Sequence, residues 1–141
     1  MNVTLFGATG KLGLECLQQC LEAGHAVTVL VRSPDKLPAT LRDRITVVEG
    51  DGLVAADVER ALPPGTDAIL FAVGVDEKTS PPDLCTDVTR HILAVMRREQ
   101  IPRLAILEHR RGDVDVLQVR ALCGELADRG IDLALARELP E

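Results

Sequence analysis

With 141 residues, 46% apolar and 27% charged, the chain has room for one globular domain over residues 1–141 and not for two enzyme domains. Its longest apolar run falls far short of the roughly 20 residues a membrane span needs, and its net charge of −6 argues against a nucleic-acid partner spread over the whole surface. Neither Tyr nor Trp occurs, which removes phenol-proton chemistry and stacking on either ring.

Met1 leads within one residue into a strand-like run with no basic n-region, so no signal peptide is expected and the expected location is the cytoplasm. Asn2 to Phe6 is a short Val- and Leu-bearing run ended by Gly7. Lys11 to Ala23 reads helical, with Leu14, Leu17 and Leu21 on one face and Glu15, Gln18, Gln19 and Glu22 on the other. Gly24 is its stop signal. Ala26 to Val31 is a second buried-strand run, and His25 belongs to the turn into it. Ser33-Pro34-Asp35 signals a helix start, and Pro38 cuts that helix short. Ile45 to Val48 is a third strand. Val54 to Leu62 is a short helix stopped by Pro63-Pro64-Gly65, and Asp67 to Val73 is a fourth strand.

Ser80-Pro81-Pro82 opens the longest helix, which runs to about Gln100 and buries Val88, Ile92 and Val95. His91 borders that packed face, and Arg97-Arg98 forms a solvated helix end. Leu104 to Leu107 is a fifth strand, Asp113 to Arg129 a helix weakened by Gly124, and Ile131 to Ala136 a sixth strand. Strand and helix alternate strictly, and the strands lack polar alternation. That pattern predicts an α/β, three-layer Rossmann fold: a doubly wound parallel sheet of about six strands, order 3-2-1-4-5-6, with helices on both faces.

A chain this long buries roughly two-thirds of its unfolded surface, so it needs neither disulfide nor metal. Cys16 and Cys20 lie one helical turn apart, Cys85 and Cys123 are isolated, and no C-x-x-C occurs. All four read as small apolar packing residues rather than parts of a metal site.

Gly7-Ala8-Thr9-Gly10-Lys11-Leu12-Gly13 joins the first strand to the first helix with G-x-x-G-x-x-G spacing. Gly7 makes the turn off the strand, Gly10 lets the backbone approach a pyrophosphate, and Gly13 lets the helix pack close to the sheet. The helix N-terminus offers unpaired N–H groups and a positive dipole end to the anion. After the second strand an NAD site wants an acid for the ribose 2′-hydroxyl. Here stand Arg32 and Ser33, with Lys36 a turn later, and a guanidinium suits a 2′-phosphate. NADP(H) is therefore the expected cofactor. Asp51 and Gly52, after the third strand, offer a side-chain acceptor and backbone groups to an adenine; Asp51 is nearly as well read as a turn residue. Ala72-Val73-Gly74 ends the fourth strand with a small, backbone-exposing segment, placing Ala72 and Gly74 along the cofactor.

Gly7 to Gly13, Val29-Leu30-Val31-Arg32, Gly50-Asp51 and the stretch Asp67 to Pro102 resemble the atypical short-chain dehydrogenase/reductase superfamily. The similarity is to its NAD(P)H-binding branch, which includes biliverdin reductase B-like flavin reductases and NmrA-like regulators. It covers residues 1 to about 104 and returns weakly from Val116 to Arg137. It implies NADP(H) binding at Gly7, Thr9, Gly10, Lys11, Leu12, Arg32, Ser33 and Asp51, and hydride transfer to a flavin or tetrapyrrole.

The chain also departs from that family. Its members carry a Ser- or Thr-bearing stretch after the fifth strand and a longer substrate lobe. Here Leu107-Glu108-His109-Arg110-Arg111-Gly112-Asp113 leads straight to the next helix. The Tyr-x-x-x-Lys pair of the better-known short-chain dehydrogenases cannot exist without Tyr. Glu108 and His109 fall at the carboxyl edge of the sheet, where His109 can donate a proton with Glu108 orienting it; a charged, solvated loop is the competing reading. Three readings stay open: an NADPH-dependent oxidoreductase acting on a planar acceptor, an NADP(H)-sensing protein of the NmrA type, and a scaffold with an incomplete site. The expected partners are the dinucleotide and a small planar substrate, with a protein partner or a second copy of the chain left open and neither membrane nor nucleic acid involved.

Overall fold

The computed structural model describes residues 1–73, 81, 83–107 and 134–136. Ten elements lie within them: β1 (Asn2–Phe6), α1 (Lys11–Glu22), β2 (Ala26–Val31), α2 (Ala39–Arg42), β3 (Thr46–Glu49), α3 (Ala55–Ala61), β4 (Ala68–Phe71), α4 (Leu84–Glu99), β5 (Leu104–Leu107) and β6 (Ala134–Ala136). The strands form one sheet in the order β3-β2-β1-β4-β5-β6. Every neighbouring pair is parallel. This is the doubly wound Rossmann sheet that the alternation predicts.

Side chains of successive strand residues point to opposite faces, so the mostly apolar strands feed two cores. On one face Val3, Leu5, Val27, Val29 and Leu70 pack with Cys16, Leu17 and Cys20 of α1. On the other, Phe6, Leu30, Ile69 and Phe71 pack with Val58 and Ala61 of α3 and with Val88, Ile92 and Val95 of α4. The result is three layers, helix, sheet and helix. Each fully buried Val, Leu, Ile or Phe contributes about 1.5–3 kcal/mol by leaving water. Thr4 is a buried polar residue on the second face, and its hydroxyl donates to the Ala61 carbonyl at 2.8 Å, satisfying an orphan carbonyl at the end of α3. Cys16 and Cys20 take the packing role expected of them.

Most boundaries agree with the sequence pattern to within a residue or two. Pro34–Lys36 makes one 3₁₀ turn, and Pro38 restarts the chain as the single-turn α2. The third strand lies one residue later than expected because Thr46 pairs with Thr28 and Glu49 with Val31. The fourth strand is shorter at both ends, Ala68–Phe71. The long helix begins at Leu84 after a turn in which the Leu84 N–H donates to the Pro81 carbonyl at 3.2 Å. Asp83 takes the N-cap position. The expected helix from Asp113 to Arg129, with Cys123 and Gly124 in it, lies outside the described residues. Among those described, no helix is long and apolar enough to cross a membrane.

Candidate functional site

A parallel sheet sends every strand out at the same edge. The segments that follow β1, β2, β3 and β4 are therefore gathered along one carboxyl edge. They are the glycine loop, Arg32-Ser33, Gly50 to Leu53, and Ala72-Val73. The winding reverses between β1 and β4, and the crevice at such a switch point is where ligands bind in open α/β sheets.

The three glycines of the loop are not equivalent. Gly7 has φ +86°, and a Cβ on it would lie 2.5 Å from the carbonyl carbon and oxygen of Ala72. Only glycine turns the chain there and lets β1 and β4 end side by side. Gly13 is buried, and a Cβ on it would lie 1.8 Å from the Gly7 carbonyl oxygen. Gly10 has no such internal reason. It is the N-cap of α1 with φ −78° and ψ 167°, ordinary extended backbone. The nearest atom to a Cβ on it is the Gly7 carbonyl oxygen, 3.8 Å away, and the residue is exposed.

No side chain caps α1, and its first turn carries no acid. Its leading N–H groups and positive dipole end thus meet the space in front of Gly10. Lys11 is exposed beside that space and Thr9 is half-buried. Leu12 packs against the core on the α1 face. This cradle fits a pyrophosphate: it offers backbone donors, a nearby cation and room at the one glycine the fold does not demand.

Arg32 and Ser33 follow β2 directly and are exposed, as is Lys36. None of the ion pairs among the described residues involves Arg32 or Lys36. Asp35 turns to Arg42 instead, at 3.7 Å.

The loop after β3 is held from three sides. Asp51 Oδ1 accepts from the Leu53 N–H at 2.9 Å, so Asp51 does act as a turn residue. From α3, Asp57 Oδ2 accepts the Asp51 N–H at 2.9 Å. Arg60 ties the same carboxylate, Oδ1 at 2.6 Å, to the Glu49 carbonyl at 3.0 Å. The Arg60 side chain, then the Asp51 N–H, hold the Asp57 carboxyl below the usual carboxylate range. A carboxylate so lowered lends its stabilisation at all pH values above its unfolded pKa and loses it as pH falls through the folded one. From α4, His91 Nδ1 lies 3.0 Å from the Gly52 carbonyl oxygen.

Asp57, Arg60 and His91 were not singled out as site residues by sequence. Asp57 and Arg60 give an i, i+3 charge pattern, but it does not reveal that the pair also grips the preceding loop. Arg98, read as a solvated helix end, joins α4 to Glu59 of α3 at 3.0 Å. Gly74, Glu108 and His109 lie outside the described residues, while Ala72 is buried with its carbonyl group beside Gly7. A cavity of about 470 Å³ opens at the opposite, amino-terminal edge of the sheet, lined by Thr28, Thr46, Asp43 and Arg44 among others. It shares no residue with the glycine loop.

A family model described as NAD(P)H-binding matches residues 7–113. A reductase of Aspergillus terreus, reductase pytE, is 29% identical over 120 residues, which cover 68% of this chain and 46% of that protein. The chain thus spans less than half the length of this curated relative. Among solved structures, the Bordetella bronchiseptica enzyme WbmG in complex with NAD is similar at TM-score 0.63 and 18% identity, over 77% of this chain and 37% of that one. Yeast methylglyoxal/isovaleraldehyde reductase Gre2 complexed with NADPH is similar at TM-score 0.63 and 13% identity, over the same shares. At these identities the likeness concerns the fold.

Proposed function

The chain belongs to the NAD(P)H-binding family, and from that premise we propose that it is an NADPH-dependent oxidoreductase with a flavin-like, planar acceptor. The observation that supports this reading is the cradle at Gly10: an exposed glycine, free of any packing or φ requirement, at the uncapped N-terminus of α1. In this reading Gly7, Thr9, Gly10, Lys11, Leu12 and Gly13 hold the pyrophosphate. Asp51 and Gly52 border the adenine, and Ala72 and Gly74 lie along the nicotinamide half. Bound NADPH supplies the hydride. The chain's own residues orient it, exclude water and, at His109 held by Glu108, deliver a proton. A chain without Tyr cannot protonate a ketone as a Tyr-Lys pair does, whereas a flavin is its own electron sink and asks mainly for proximity.

Arg32 carries the preference for NADP(H) over NAD(H). It stands where an NAD site places an acid, and no carboxylate among the described residues competes for it in an ion pair. A charge-assisted bond to the 2′-phosphate is worth about tenfold or more in affinity. Arg32→Ala should therefore weaken NADP⁺ by at least that factor in calorimetry and leave NAD⁺ within about twofold. An NADP⁺ affinity that stays within about twofold removes Arg32 from the site.

The activity itself is tested by following NADPH absorbance with FMN, FAD or a quinone as acceptor, and with simple ketones alongside. Oxidation with the planar acceptors and none with ketones is the expected result. His109→Ala should then slow turnover by up to about 10²–10⁴ without abolishing it. NADP⁺ binding with no oxidation of NADPH by any planar acceptor rejects the reductase and leaves a cofactor-sensing protein.

A further inference from the structure

The Gly52 backbone rests on one short stretch of α4. A Cβ at Gly52 would lie 3.0 Å from both methyl carbons of Val88. One turn further along the helix, His91 Nδ1 is 3.0 Å from the Gly52 carbonyl oxygen, a contact between residues 39 positions apart. A carbonyl oxygen only accepts, so Nδ1 carries the proton and donates.

We infer that His91 is a positioning residue for the adenine end of the dinucleotide, acting through the backbone of the loop that follows β3. The inference rests on the cofactor reading given above. The loop has only Gly50, Asp51, Gly52 and Leu53 between a strand and the N-cap Val54, and both glycines widen its conformational choice. Asp57 fixes its first half by taking the Asp51 N–H. His91 fixes its second half by donating a hydrogen bond to the Gly52 carbonyl, and Val88 blocks movement toward the helix. A loop set in advance spares the ligand the entropy of ordering it. Losing one such hydrogen bond should weaken the adenine half of the ligand by about three- to tenfold.

The test uses three variants. His91→Leu removes the donor. His91→Asn returns an N–H at the position of Nδ1, because Asn Nδ2 is also bonded to Cγ. His91→Gln places its N–H at the position of Nε2 instead. Two readouts are taken on the whole chain: amide hydrogen exchange of residues 50–54 without ligand, and the affinity for 2′,5′-ADP, which lacks the nicotinamide half. Faster exchange and a three- to tenfold weaker affinity in His91→Leu, both restored by His91→Asn more than by His91→Gln, bear the inference out. Exchange of residues 7–13 should stay as in the wild type. Unchanged exchange at residues 50–54 in His91→Leu overturns it. So does faster exchange there with unchanged affinity, or faster exchange spread over the glycine loop as well, which would make His91 a general packing residue. Wild-type protein that fails to bind 2′,5′-ADP overturns the cofactor reading together with this one, and the exchange data distinguish that failure because they need no ligand.

Discussion

Gly10→Val is expected to abolish dinucleotide binding while leaving the protein folded. The expectation follows from what surrounds the residue. The first atom a Cβ would approach is the Gly7 carbonyl oxygen at 3.8 Å, ordinary van der Waals distance. The backbone, φ −78° and ψ 167°, lies in the extended region that β-branched residues favour. The chain itself therefore accepts valine. The cost is confined to a poorer N-cap, up to about 1 kcal/mol, which lowers Tm by a few degrees. In the proposed cofactor site the two methyl groups then stand where a pyrophosphate would approach the N–H groups of α1. Calorimetry with NADP⁺ and a thermal melt of the same sample separate the two effects. Binding at wild-type affinity with an unchanged melt would move the anion site away from this loop.

Much of this arrangement is readable from the sequence because the governing signals are local. Glycine spacing between a strand pattern and a helix pattern is a statement about a few consecutive residues. Short strands such as Val27-Thr28-Val29-Leu30 announce burial on both faces, and handedness rules then fix the strand order. The place of Arg32 is readable for the same reason, since it depends on where β2 ends. The grip on the loop after β3 is not readable. Its partners are backbone groups, the Asp51 N–H and the Gly52 carbonyl, and a backbone group leaves no mark in composition or periodicity. His91 borders the buried face of α4 whether or not a loop lies against it. Only the packing of α4 against the loop after β3 turns a border histidine into a donor. The start of α4 is obscure for another reason. Prolines at 81 and 82 are compatible with a helix start and equally with the turn that precedes one.

Gly13→Ala should be the most destabilising single methyl group in the glycine loop. Its Cβ would fall 1.8 Å from the Gly7 carbonyl oxygen, 2.6 Å from the Gly7 carbonyl carbon and 2.8 Å from Ala8 Cα. All three are backbone atoms, so no side chain can swing aside. Relief requires α1 to move off the sheet or the turn at Gly7 to rebuild. Gly7 cannot give easily, because it is itself pinned at φ +86° against Ala72. Moving α1 would pull Cys16, Leu17 and Cys20 out of the core formed with Leu5 and Val29. Overpacking against a rigid neighbour costs about 3 kcal/mol or more, a large part of a typical domain's stability, and should lower Tm by about 10 °C. Gly24→Ala is the control. Gly24 lies just past the C-cap Ala23 of α1, at φ +81°, and nothing lies within 4 Å of a Cβ there. Its cost is the left-handed conformation alone, about 1–2 kcal/mol. Urea denaturation of the two variants should therefore place Gly13→Ala well below Gly24→Ala in midpoint. Equal midpoints would mean that α1 is free to shift on the sheet, and that the close contact between Gly13 and Gly7 does not hold the helix N-terminus at the site.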